Sequence, residues 1–189
     1  MIKRFGDAAV IRFARPESRN PLSRTVVESL HRMIDQIAGD NSLRRLIFTG
    51  TGEAFASGAN LNEIAALTAA DAPEFARLGQ TLMHKIDRLP QFVIAAINGV
   101  CFGGALDLAL ACDTRIAAPS AKFAHPGASL GIITGWGGTQ RLPRLIGHAR
   151  ALEMFMTASP ISAEQALNIG LIDRIAEDVV AAALELEPR

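Results

Sequence analysis

Two glycines and an acid, Gly103, Gly104 and Asp107, carry the densest chemistry the sequence offers. They come after a short β-branched apolar run at 93–97 and a turn signal at Asn98-Gly99, and they open a run of good helix formers that ends at Cys112-Asp113. The pattern predicts buried strand, turn, buried helix. The first N–H groups of a helix have no intrahelical partner and lie at the positive end of its dipole. Glycine there removes the Cβ that would hold a ligand away, so the Gly104 N–H is placed to meet a developing negative oxygen. Asp107 comes three residues later and falls on the same helix face. One donor and one carboxylate then share one small volume, the layout that polarises a carbonyl and moves a proton beside it. On the competing reading the glycines only permit close packing and Asp107 is a satisfied polar residue. A membrane span fits poorly, because the acid, Asn98 and the glycines interrupt the apolar run.

The elements that must position these residues belong to an ordinary globular chain. Its 189 residues are 49% hydrophobic and 20% charged, enough for one domain over 1–189 with a sizeable core. The formal net charge is zero and there are nine Phe, one Trp and no Tyr. Neither a basic surface nor an aromatic platform for nucleic acid is expected, nor an anionic-membrane partner. The two cysteines, Cys101 and Cys112, lack metal-ligand spacing and read as small core residues, which suits a reducing, cytoplasmic setting. No metal is expected, and no secretory signal is read at the N-terminus.

In chain order, a strand is predicted over 8–13, then a helix capped by Ser23 with Val26, Val27, Leu30, Ile34 and Ile37 on one face, then a strand over 43–49. Strand, helix, strand predicts a right-handed crossover and a parallel pair. Residues 54–61 form a small-residue loop whose N–H groups can approach a ligand. Residues 62–89 read as helical, with a break and new start at Asp71-Ala72-Pro73. A strand over 114–118 leads to a second glycine-rich loop, 127–138, which enters another helix. Its spacing is neither a dinucleotide fingerprint nor a phosphate-binding P-loop. Pro143 and Gly147 punctuate the tail of this region. Helices are predicted over 149–157 and 162–168, the second with a capping box at Ser162 and Gln165, then a short strand at Leu171-Ile172 and a last helix over 177–187. The alternation says α/β.

Taken together and in this order, three segments resemble the crotonase superfamily, the enoyl-CoA hydratase/isomerase family. They are Phe55 to Ile64 (F-A-S-G-A-N-L-N-E-I), Ile97 to Asp113 with Asn98-Gly99 and Gly103-Gly104-Ala105-Leu106-Asp107, and Lys122-Phe123 with Gly137-Gly138-Thr139-Gln140-Arg141-Leu142. The resemblance implies a ββα spiral with surrounding helices, packed as a homotrimer or hexamer, and an acyl-CoA thioester as substrate, with no separate cofactor. It implies that the N–H groups of Ala59 and Gly104 form an oxyanion hole and that residues Ala59 to Asn62 line the CoA site. Ala56, Ser57, Gly58, Ala59, Asn60, Leu61, Asn62, Gly104, Gly127 and Trp136 are assigned to substrate binding.

Against the family pattern, the first catalytic glutamate falls at Asp107, one methylene shorter, and the second falls at Gly127. Asn60 stands where the family carries aspartate, and Gly135 where some specialised members carry an acid. The family's C-terminal helical region is expected to be absent or shortened. His125, two residues before Gly127, is a candidate proton source set against a structural role, and Trp136 a pocket wall set against core packing. The expected activity is hydration or isomerisation of an enoyl-CoA with Asp107 as acid/base. The alternatives are decarboxylation, thioester hydrolysis, or CoA-thioester binding without catalysis.

Overall fold

Apolar alternation and helical periodicity sort the chain into two sheets and a shell of helices. The computed structural model describes residues 1–187, so the last two positions of the expected domain, 188 and 189, lie outside the described residues. In chain order the elements are β1 (Ile2–Phe5), β2 (Ala8–Arg12), α1 (Arg24–Ala38), β3 (Arg45–Thr49), β4 (Ala54–Ala56), α2 (Leu61–Ala65), α3 (Ala72–Asp87), β5 (Phe92–Ile97), β6 (Val100–Phe102) and α4 (Gly104–Ala111). The second half adds β7 (Thr114–Ala117), β8 (Lys122–Ala124), α5 (Gly138–Ile146), α6 (His148–Thr157), β9 (Ile161–Ser162), α7 (Ala163–Asn168), β10 (Arg174–Ile175) and α8 (Val179–Leu184).

A six-stranded sheet runs β1-β2-β3-β5-β7-β10, and a four-stranded sheet runs β4-β6-β8-β9. Among the described residues only the β1–β2 and β8–β9 pairs are antiparallel. The chain therefore lays one strand in each sheet and then a helix, turn after turn: β3 with β4, β5 with β6, β7 with β8. This is the expected ββα spiral. Strands β2 and β3 pair in parallel across α1, with Val10 opposite Ile47.

Period-2 alternation separates the two faces of the large sheet. Leu46, Phe48, Val93, Ala95 and Ile97 point into the main core with α1, α3 and α4, whereas Ile47, Ile94, Ala96 and Ile116 pack under α8. Helix α4 lies in the middle of the molecule, and every residue from Ala105 to Ala111 is buried. That burial is why its sequence is apolar on every face, with Asp107 the one exception among its residues. Among the described residues no helix is long and apolar enough to cross a membrane. Both cysteines are buried free thiols.

The cap signals hold. Ser23 accepts from the Val26 N–H, and Ser162 and Gln165 close a capping box on α7. Three local readings need correction. β6 lies between the Asn98-Gly99 turn and α4, where turn passed directly to helix in the sequence reading. The apolar pair Leu171-Ile172 is buried but is not a strand. Arg115 donates from Nε to the Leu171 carbonyl (2.9 Å) and pairs with Asp173 (3.2 Å), and the β-pairing with β7 starts only at Arg174. Residues 54–56 are strand β4 and not loop, while Pro143 lies inside α5 and Gly147 caps its end.

Candidate active site

The site is built where the two sheets hand over to α4. The loop after β4 is pinned by backbone bonds from Ser57 N–H to the Arg19 carbonyl (2.9 Å) and from Leu22 N–H to the Gly58 carbonyl (2.8 Å). Gly58 takes φ of +100°, and a methyl on it would lie 2.6 Å from the Phe102 carbonyl oxygen and 3.3 Å from the Gly104 nitrogen. Gly103, at φ 52° and ψ −121°, turns the chain from β6 into α4 in a conformation that a side chain disfavours. These two glycines bring the Ala59 and Gly104 nitrogens side by side: a methyl on Gly104 would lie 3.4 Å from the Ala59 nitrogen. Neither N–H has a hydrogen-bond partner among the described residues. Gly104 opens α4, so its donor also sits at the positive end of a buried helix.

Asp107 lies one turn into α4 and is 1% exposed. Its Oδ2 accepts from the Thr134 hydroxyl and from the Trp136 N–H (3.3 Å), while Oδ1 has no hydrogen-bond partner among the described residues. Burial pushes the carboxyl up to about 7, and the Thr134 and Trp136 donors only partly offset it. His125, 2% exposed, faces Oδ1 with Nε2 at 3.7 Å. Among the described residues neither of its ring nitrogens has a hydrogen-bond partner, its ring packs on Phe155 (5.1 Å between centroids), and burial holds it down at about 4.

These groups meet at a cavity of about 210 Å³. Apolar side chains from α2, α3 and the 130–133 loop form most of its wall, among them Leu61, Ile64, Phe75, Leu130 and Ile132. Trp136 closes one side, 3% exposed and 5.6 Å from the Phe75 ring. It reaches there because α3 carries Gly79, where a methyl would lie 2.2 Å from the indole. Gly79→Ala therefore tests two opposed effects. Alanine favours a free helix over glycine by about 1 kcal/mol, but forcing a methyl into packed space costs about 1–3 kcal/mol. The rigid indole has little room to give, so the substitution is expected to lower Tm and to change Trp136 fluorescence, measured together in one thermal melt.

Of the residues singled out by sequence, Ser57, Gly58, Ala59, Leu61, Gly104, Asp107, Gly127 and Trp136 line the cavity. Ala56 is wholly buried in β4 and does not line it. Asn60 caps α2 by accepting from the Asn62 N–H, and it and Asn62 sit outside the cavity wall. At Gly127 a Cβ would stand 2.5 Å from the Ile132 carbonyl oxygen, so the loop backbone occupies the space a side chain would need. Three contributors carried no motif. Gly79 is a lone glycine within a helical pattern, Thr134 one loop residue among several, and Phe155 a residue of a distant helix. Among the described residues no three His, Cys, Asp or Glu side chains gather as metal ligands.

Comparison with known proteins places this geometry in context. The family model described as enoyl-CoA hydratase/isomerase matches residues 6–187. A short-chain-enoyl-CoA hydratase of Clostridium acetobutylicum is 36% identical over 178 residues, covering 94% of this chain and 68% of that protein. A crotonyl-CoA hydratase of Syntrophomonas wolfei is 39% identical, covering 89% and 65%. The crystal structure of an enoyl-CoA hydratase from Bacillus anthracis superposes with a TM-score of 0.93 at 39% identity, covering 98% of this chain and 73% of that one. The chain thus spans about two thirds of the length of the curated relatives it matches.

Proposed function

The chain belongs to the enoyl-CoA hydratase/isomerase family, and from that premise we propose that it acts on an acyl-CoA thioester by stabilising its enolate, with hydration or double-bond isomerisation of an enoyl-CoA as the reaction. One observation carries the reading. Two unpartnered backbone N–H groups, from Ala59 and Gly104, sit side by side at a cavity that also holds the buried Asp107 carboxyl.

The chemistry is set by where charge appears. Attack at the β-carbon, or loss of a proton next to the conjugated system, sends negative charge to the thioester oxygen. Donors already fixed in place stabilise that oxyanion more than the neutral carbonyl, by about 3 kcal/mol each, and need no reorganisation to do so. Asp107, at about 7, has the two protonation states comparably populated near neutral pH, which suits a group that must both give and take a proton. The apolar wall strengthens these interactions by keeping bulk water out. In this reading the cavity takes the acyl group, and Asn60 and Asn62, outside its wall, lie toward the CoA portion.

A second reading, CoA-thioester binding without turnover, has one observation in its favour. The loop backbone over Gly127 leaves no room for a second carboxylate. Mixing the protein with a short trans-2-enoyl-CoA and following the conjugated thioester absorbance separates the two. Enzyme-dependent loss supports the hydratase reading. Saturable binding with unchanged absorbance supports the binder, and product analysis with malonyl- and hydroxyacyl-type thioesters then tests decarboxylation and hydrolysis. The family also suggests a homotrimer or hexamer working in the cytoplasm as a single-domain chain. Light scattering coupled to gel filtration tests the assembly.

A further inference from the structure

Resting on the hydratase reading, we propose that His125 is the second proton carrier of this site, working as a pair with Asp107 in place of the carboxylate that Gly127 lacks. Hydration takes one proton from water and gives one to the α-carbon, and two groups can divide these transfers between them. Asp107 and His125 are the only titratable side chains lining the cavity among the described residues. They face each other at 3.7 Å, and the facing atoms, Oδ1 and Nε2, are both buried and unpartnered. A histidine serving structure would use at least one ring nitrogen in a hydrogen bond, since an unmet buried polar atom is costly. Among the described residues this one packs on the Phe155 ring, lies beside Gly138 of α5 and otherwise faces the cavity, with neither ring nitrogen in a hydrogen bond.

The cycle balances. It starts from neutral imidazole and protonated carboxyl. The water oxygen bonds to the β-carbon as the carbon–carbon π bond breaks, and the water proton passes to Nε2. The Asp107 O–H bond breaks and its proton bonds to the α-carbon of the enolate. What remains is imidazolium beside carboxylate, and transfer from Nε2 to Oδ1 restores the start. An approach of about 0.7 Å brings the pair into hydrogen-bond range for that return. The return runs downhill, because burial raises the carboxyl and lowers the imidazole.

The surroundings fit a neutral pair. From α5 the Arg141 guanidinium bears on Asp107, but it lies 3.8 Å from Asp87 of α3. The Cys101 thiol of β6 is kept protonated by burial. From α6, His125 meets Phe155, and among the described residues Asp107 is the only acid within ion-pair range of it.

The sign of the pH profile decides. With this pair the hydration rate is bell-shaped: it falls on the acid side as His125 gains its proton, near 4, and on the alkaline side as Asp107 loses its proton, near 7. Asp107 acting alone as a base gives the reverse, a rate that rises through about 7. The wild-type profile of kcat/KM with a short enoyl-CoA is the first measurement, and a rise through neutrality overturns the proposal without any variant. His125→Asn and His125→Gln, checked for folding by circular dichroism and for acyl-CoA affinity by calorimetry, are expected to lose about 10²-fold in kcat with KM little changed, and to lose the acid limb. Variants that keep wild-type kcat and profile overturn the pair but leave the hydratase reading intact. A wild-type protein that binds the thioester yet never hydrates it overturns both.

Discussion

Asp107→Asn lowers turnover of a short enoyl-CoA by about 10³-fold while acyl-CoA affinity stays within about threefold. The amide has the shape of the carboxyl and still accepts at one oxygen from Thr134 and from the Trp136 N–H, the two contacts that fix the side chain. It has no proton to trade at any accessible pH. The oxyanion donors of Ala59 and Gly104 are backbone groups and stay in place, so the loss falls on kcat and not on binding. The fold is expected to tolerate the change or gain from it, because the variant no longer buries an ionisable group whose Oδ1 lacks a partner. Steady-state rates, calorimetry with an unreactive thioester and a thermal melt check the three statements. Retention of more than about a tenth of the rate would move the proton transfer away from Asp107.

That Asp107 was visible from sequence and its supports were not has a physical reason. Local signals expose what neighbours in the chain decide: the 3.6-residue period of α1 with its Ser23 cap, the Ser162–Gln165 box, and the glycines that start α4. The strand β6 is three residues long and exists only because Cys101 pairs with Ala56 on one side and Phe123 on the other, partners far off in the chain. No local pattern can announce it. Leu171-Ile172 misled for the converse reason. Their apolarity reports burial correctly, but the Leu171 and Ile172 N–H groups bond back to the Ala166 carbonyl and the Leu171 carbonyl accepts from Arg115 Nε, so the strand forms one step later.

The site divides in the same way. The 55–64 and 97–113 segments, read as motifs, named the donors and the acid, and the structure brings them to one cavity. The departure at Gly127 was equally legible as a missing side chain, but its cause was not. The Ile132 carbonyl fills the space, so this loop is folded for a glycine, and restoring a glutamate there meets backbone and not an empty pocket. Thr134 gains meaning only from its contact with Asp107, and His125, a candidate proton source in the sequence, is tied to Asp107 only by a distance that no sequence pattern encodes.

Gly104→Ala is expected to cost about 10²–10³-fold in kcat, as loss of an oxyanion donor does, even though the donor itself survives. The added methyl would stand 2.6 Å from the Trp136 ring carbons Cε3 and Cζ3. Either the indole moves into the cavity, or α4 backs away and carries the Gly104 N–H and Asp107 with it. The donor pair with Ala59 is set by close approach, so a displacement of about 1 Å suffices for a loss of that size. Because the oxyanion contact is stronger in the transition state than in the ground state, KM is expected to rise much less than kcat falls. A second substitution identifies the cause. Trp136→Leu removes the ring carbons that the methyl meets, so if the clash is responsible the double variant recovers part of the rate that Gly104→Ala loses, a favourable coupling in the cycle of four proteins. If instead the methyl screens the Ala59 N–H, 3.4 Å away, the two losses add and no recovery appears. The outcome then says which wall of the cavity holds the oxyanion hole in shape: the indole that packs over Gly79, or the loop that Gly58 turns.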